Sequence, residues 1–174
     1  MSTNIIVVTH AVTQWHLKGK VQGHVDTPLN EYGKKMAEML ANRLKYENID
    51  IIYTSDLRRA YETAEPLSKI ASIPILKDDK LREGRWNVKD TGEYPLLPWN
   101  SSYESHAELR KRIVDAITEI AKLNDGKNLL IVAHEGVIRQ FIEHLKETPN
   151  SSIPEYKSIR SAINQFIYYH VQMK

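Results

Sequence analysis

An α/β fold, a three-layer sandwich with a mostly parallel central sheet and helices on both faces, is predicted by three features of this sequence. The aliphatic runs at residues 5–8 and 129–133 are continuous rather than alternating, as in strands covered on both faces. Amphipathic stretches separate the apolar runs, so strand and helix patterns alternate along the chain. Both runs also stop at a histidine, His10 and His134. In open α/β sheets the ligand crevice lies beyond the carboxyl ends of the strands, which is where both rings would sit.

The elements follow in order. Ile5, Ile6, Val7 and Val8 are β-branched and form the first strand. From Gln14 to Pro28 two glycines, a proline and many polar side chains show no period, and a long functional loop is expected. Asn30 then caps a helix with Tyr32, Met36, Leu40 and Leu44 on one face. Ile49 to Tyr53 is the second strand, and Thr54-Ser55-Asp56 caps a helix bearing Leu57, Ala60, Tyr61, Ala64 and Leu67. Ile73 to Leu76 is a short third strand, followed by Leu81-Arg82-Glu83-Gly84-Arg85-Trp86.

Residues 84–104 lose the pattern among Gly92, Pro95 and Pro98, and a compact insertion is expected there. Ser105 and Glu108 have capping-box spacing before a helix with Leu109, Ile113, Ala116, Ile117 and Ile120 buried. Asn124-Asp125-Gly126 ends it. Leu129 to Ala133 is the next strand, and Val137, Ile138, Phe141, Ile142 and Leu145 mark the core face of a last helix. Ala162 to Val171 reads as a final strand.

The 174 residues suit a single domain over 1–174 that buries its own core. A net charge of +2 from 24 basic and 22 acidic residues, interspersed, gives no reason to expect nucleic acid, so any anion site must be local. Without cysteine there are neither disulfides nor thiolate metal sites, which fits a reducing compartment. No apolar run reaches the roughly 20 residues of a membrane span, and residues 5–8 are too few for a signal-peptide core; a cytoplasmic location is expected. Oligomeric state is not legible.

Four chemistry-bearing residues fall at strand ends: His10, Arg59, Glu83 and His134. Each alone has an ordinary explanation, as a hydrogen-bonded histidine or a surface ion pair. Together they could support phosphoryl transfer. An imidazole with an ordinary pKa near 6.5 is nucleophilic at neutral pH. An arginine fork at a helix start fits phosphate oxygens and follows charge onto them in the transition state. A second histidine can donate to the same oxygens, and a glutamate can protonate a leaving alcohol.

The chain resembles the histidine phosphatase superfamily, the phosphoglycerate mutase-like proteins, along nearly its whole length. The family's opening Arg-His-Gly-Glu-Thr, Trp-Asn and Gln-Gly-x-x-Asp-x-Pro-Leu-x-x-x-Gly is met by His10, Thr13, Trp15, Gln22-Gly23, Asp26, Pro28-Leu29 and Gly33. Residues 54–64 look like its Ser-x-Leu-x-Arg-Ala-x-x-Thr-Ala segment, and Leu81-Arg82-Glu83 like the segment carrying its acid. Glu104-Ser105 with Arg112 echoes a helix opening, and residues 132–139 resemble the stretch around the second histidine. The resemblance implies a phosphatase acting on a small phosphorylated substrate, with no metal or organic cofactor. His10 would become phosphohistidine, Arg59 and His134 would hold the phosphoryl group, and Glu83 would donate the proton. Thr9, Thr13, His16, Gln22 and Gly23 would line the substrate site.

Four positions depart from that pattern. Thr9 stands for the arginine before the nucleophile, Ala11 for the glycine, Val12 for the glutamate and His16 for the asparagine. Losing one phosphate donor typically costs about 10² to 10³ in rate. Arg58, Lys18 or Arg85 could reach into the pocket to compensate. A weak or inactive relative that binds a phosphorylated ligand or partner is therefore the alternative, ahead of a mutase; a metal site built from His10, His16, His24 and His134 fits no familiar spacing. Trp86, Tyr94 and Trp99 lie in the stretch expected to select substrate.

Overall fold

The computed structural model describes residues 2–86, 103–147 and 168–173. Among these, five strands form one sheet: β1 (Thr3–Thr9), β2 (Ile51–Ser55), β3 (Ile75–Asp78), β4 (Asn128–Ala133) and β5 (Tyr168–Met173), in the order β3-β2-β4-β1-β5. The pairs β3·β2, β2·β4 and β4·β1 are parallel, and β5 runs antiparallel on the β1 edge. The four parallel strands therefore open toward one end of the sheet, where His10 and His134 follow β1 and β4.

The helices are α1 (Gln14–Leu17), α2 (Glu31–Leu44), α3 (Arg58–Ala71), α4 (His106–Leu123) and α5 (Glu135–Glu147), with a 3₁₀ turn at Asp79–Leu81. Helices α2 and α3 cover one face, packing Leu40, Leu44, Ala60 and Leu67 on Ile6, Val8, Ile52 and Val132. Helices α4 and α5 cover the other, with Ile113, Ile117, Phe141 and Ile142 on Ile5, Val7, Leu129 and Ile131. Alternate residues of β1 and β4 thus point to opposite cores, which is why their sequences are apolar throughout.

Several boundaries differ from the sequence expectation, each for a physical reason. Tyr32 is 54% exposed; successive i+4 steps drift about 40° around a helix, and the buried stripe of α2 runs through Met36, Ala37, Leu40, Ala41 and Leu44 instead. Thr54, Ser55 and Asp56 do not cap α3, whose N-cap is Leu57 without a side-chain bond. The Thr54 hydroxyl donates to the Ser55 carbonyl, Ser55 faces His134, and Asp56 holds Arg82 at 2.7 and 2.5 Å. The stretch from Gln14 is not wholly loop, because Thr13 caps the single turn α1 with its hydroxyl accepting from the His16 N–H.

Other expectations hold. Asn30 caps α2 through the Gly33 N–H, and Ser105 with Glu108 forms a complete capping box. Strand β5 overlaps the C-terminal part of the predicted last strand. Most of the insertion expected at 84–104, with Tyr94 and Trp99, lies outside the described residues, as do residues 162–167.

Candidate active site

A cleft of about 440 Å³ lies at the carboxyl end of the sheet. Its lining includes Thr9, His10 and Arg59, the loop residues His16, Gln22 and Gly23, and Glu83, Trp86 and Glu135. Its construction starts from β1. The His10 N–H donates to the Ala133 carbonyl at 2.9 Å, extending the β1·β4 ladder by one residue, so the ring leaves the sheet from a fixed backbone.

His10 Nδ1 lies 2.7 Å from its neighbour's carbonyl, Ala11 O. A carbonyl only accepts, so Nδ1 carries the hydrogen and Nε2 keeps its lone pair. Burial, then the charge of Arg59, hold the His10 pKa well below the ordinary imidazole value, outweighing the Ala11 bond that raises it. The ring is neutral at neutral pH with Nε2 unprotonated.

Arg59 follows the start of α3 and is 1% exposed. Its Nε–H donates to His10 Nε2 at 3.3 Å, Nη1 to the Val25 carbonyl at 2.8 Å and Nη2 to the Gly23 carbonyl at 2.7 Å. These contacts use three of the five N–H groups of a guanidinium. Burial lowers the Arg59 pKa to about 10, with Glu83 and Asp26 opposing, so it stays charged at pH 7. The same bonds pin the loop after α1 onto α3. Gly23 has φ +48°, a left-handed conformation that favours glycine and turns its carbonyl to the guanidinium.

Glu83 follows the 3₁₀ turn, its two carboxylate oxygens accepting from Gly84 N at 2.9 Å and Gly136 N at 3.2 Å. A Cβ at position 136 would stand 2.4 Å from Oε1, so only glycine admits the carboxylate here. Burial raises the Glu83 pKa above 4.5, against the pull of the two N–H groups and Arg59. Behind it, the Glu83 carbonyl accepts from His24 Nε2 at 2.7 Å and Arg112 Nη2 at 3.4 Å, and Arg112 is clamped by Glu104 at 2.6 and 2.7 Å.

His134 is fully buried behind His10, the ring centroids 5.1 Å apart. Its Nε2 meets the Ser55 hydroxyl at 2.9 Å, while Nδ1 has no hydrogen-bond partner among the described residues. Burial first, then Arg59 and His10, keep its pKa well below the ordinary value. An unpaired buried nitrogen beside a cleft invites a ligand. His16 stacks on His10, centroids 5.0 Å apart and planes within 8°. Thr13 sits beneath the wall, donating to Gln22 Oε1 at 2.8 Å; Thr27 donates to the same oxygen, which leaves the Gln22 NH₂ turned the other way.

Residues 5–173 match the family model of the histidine phosphatase superfamily (branch 1). The chain belongs to that superfamily. It is 33% identical over 170 residues to the metal-independent phosphoserine phosphatase of Arabidopsis thaliana, covering 86% of this chain and 71% of the relative. With the phosphoglycerate mutase-like protein 4 of the same plant the identity is 30%, over 93% of this chain and 78% of the relative. The solved phosphoserine phosphatase of Entamoeba histolytica, in complex with 3-phosphoglyceric acid, superposes with a TM-score of 0.70 at 28% identity, over 84% of this chain and 81% of that one.

Within this member of the superfamily the structure gathers His10, Arg59, Glu83, Thr9, His16, Gln22 and Gly23 around one cleft, with His134 buried behind His10 and Thr13 supporting Gln22. Of the cations named as compensating for Thr9, none lines it. Arg58 pairs with Glu62 at 3.0 Å on the outside of α3, and Lys20 is the cation on the wall besides Arg59. His24 faces the Glu83 carbonyl rather than His10, and no cluster of three His, Cys, Asp or Glu side chains among the described residues is arranged for a metal ion. Ser55, Gly136 and Glu135 were not singled out by sequence as site residues. Gly136 and Ser55 carried a usable signal, since both fall in segments that resemble the family's; Glu135 did not.

Proposed function

We propose that this protein is a phosphatase that hydrolyses a small phosphorylated metabolite through a phosphohistidine on His10. The observation that carries the reading is the Nε2 lone pair of His10, held against Arg59 in the cleft by the Nδ1–H bond to Ala11. In the first step the Arg59 Nε–H bond to Nε2 is released, Nε2 attacks phosphorus and the ester P–O bond breaks. Glu83, protonated, gives its proton to the departing alkoxide. The remaining Arg59 N–H groups and His134 Nδ1–H receive the charge on the equatorial oxygens. In the second step the Glu83 carboxylate takes a proton from water, the oxygen attacks phosphorus, and His10 leaves neutral as phosphate is released.

Every group in this scheme belongs to the chain. Hydrolysis of p-nitrophenyl phosphate and of an alkyl phosphate should therefore proceed equally with and without a chelator. Loss of turnover on chelation would contradict the reading, and ester binding without turnover would point to a phosphoester-binding protein.

The pH profile of kcat/KM has a defined sign. The active form needs His10 neutral, lost as pH falls through its lowered pKa, and Glu83 protonated, lost as pH rises through its raised pKa. The profile should be bell-shaped, its acid limb below the ordinary imidazole range and its alkaline limb above the ordinary carboxylate range. Glu83→Gln should remove the alkaline limb and lower alkyl phosphate turnover by about 10² to 10⁴, with a smaller loss on p-nitrophenyl phosphate, whose leaving group needs little protonation. Equal losses on both esters would assign the proton to another group.

A further inference from the structure

The cleft wall carries two charges that form no ion pair or hydrogen bond among the described residues, Lys20 and Glu135. Lys20 is occupied in another way, its Nζ lying 5.6 Å from the centroid of the Trp15 ring. Glu135 opens α5 and is exposed to the cleft. A carboxylate in the first turn of a helix is favoured by the helix dipole, which accounts for its being tolerated at that position. The dipole does not account for a carboxylate on the wall of a cleft that receives a phosphate dianion, where repulsion opposes the ligand.

The position of Glu135 within the wall resolves the conflict. Gly136, the next residue, gives its N–H to Glu83 Oε2, so Glu135 stands beside the proton donor, on the side where the alcohol departs. Its charge is felt there: burial raises the Glu83 pKa and Glu135 adds to that rise, while at His16 it opposes the lowering by burial and Arg59. Trp86 lines the same cleft, three residues after Glu83. Its indole lies over Gly84, where a Cβ would meet the ring, and packs edge-on to His106 at 5.6 Å, so its orientation is held. An unpaired carboxylate together with a fixed indole is a combination that recognises an alkylammonium group.

We propose that Glu135, with Trp86, selects phosphate monoesters whose alcohol carries a cationic nitrogen. This rests on the phosphatase reading for the placement of the ester, with the phosphoryl group at His10 and Arg59 and the alcohol toward Glu83. Esters with an anionic alcohol meet Glu135 as a like charge and are disfavoured.

The test compares O-phosphorylethanolamine with n-propyl phosphate, which puts a methyl where the ammonium is. Two readouts are taken: kcat/KM on the wild-type protein, and calorimetric binding to His10→Ala, which does not depend on turnover. The cationic ester should be preferred by about fivefold, the scale of one partly screened ion pair. The ratio should fall to about one in Glu135→Gln and be partly retained in Glu135→Asp. A ratio near one in the wild type, a preference that survives Glu135→Gln, or no measurable binding of O-phosphorylethanolamine overturns the proposal. If both esters are hydrolysed equally, selection fails and the phosphatase reading stands; if the binding ratio holds without turnover, the converse is true.

Discussion

His10→Ala is expected to lower phosphomonoester hydrolysis by at least about 10⁴-fold, the scale seen when a nucleophile that forms a covalent intermediate is removed. Binding of phosphate esters should persist, because Arg59, His134 and Gln22 remain. The protein should also stay folded. Besides ring packing, the His10 side chain makes a local bond to Ala11 and one 3.3 Å bond from Arg59, whose other two donors stay paired, and its N–H bond to Ala133 does not depend on the side chain. Steady-state kinetics with a thermal unfolding control measures both. Residual activity within about a hundredfold of wild type would move the nucleophile elsewhere, since that leaves only positioning effects for His10.

Arg59→Ala should cost both rate and stability, which distinguishes it from His10→Ala. Removing the guanidinium strips charge from the phosphoryl site, worth about 10² to 10³ in kcat/KM. It also leaves the buried Gly23 carbonyl and the partly buried Val25 carbonyl without donors. Two such losses cost about 2 to 5 kcal/mol, read as a drop in the midpoint of denaturant unfolding. Arg59→Lys should recover little of either, because one compact ammonium cannot reach His10, Gly23 and Val25 together. A variant at this position that kept wild-type stability would show that the loop from Gln22 to Pro28 is held by other contacts, such as the Arg58 N–H bond to Asp26 and the Leu29 N–H bond to Glu62.

The layers of the fold were legible because burial on both faces leaves a plain mark: Ile5 to Val8 and Leu129 to Ala133 could only be strands covered on each side. Caps with local chemistry were legible too, at Asn30 and at Ser105 with Glu108. Where a polar side chain is committed to a distant partner, local reading failed. Ser55 has the look of a helix cap, yet its hydroxyl serves His134, which lies 79 positions along the chain. Tyr32 shared an i+4 spacing with core residues and still faces solvent.

The site shows the same division. His10 and His134 announced themselves as histidines at the ends of buried strands, and Arg59 and Glu83 as charged residues near the ends of two others, with the resemblance giving each its role. The backbone groups that tune them did not. The Ala11 carbonyl sets the His10 tautomer, the Gly84 and Gly136 N–H groups hold Glu83, and the Gly23 and Val25 carbonyls orient Arg59. Main-chain groups are the same in every residue, so their use cannot be read from residue type; only the glycines that permit it leave a trace. The opposite sign at Glu135 is likewise invisible until the cleft is formed.

The account turns on one covalent species. Rapid acid-free quenching of the wild-type protein with ³²P-labelled ester, followed by peptide mapping, should trap label on His10 as a phosphoramidate that survives alkali and is lost in acid, and the label should be absent from His10→Ala. Labelling at another residue, or turnover that never passes through a phosphoprotein, would contradict it.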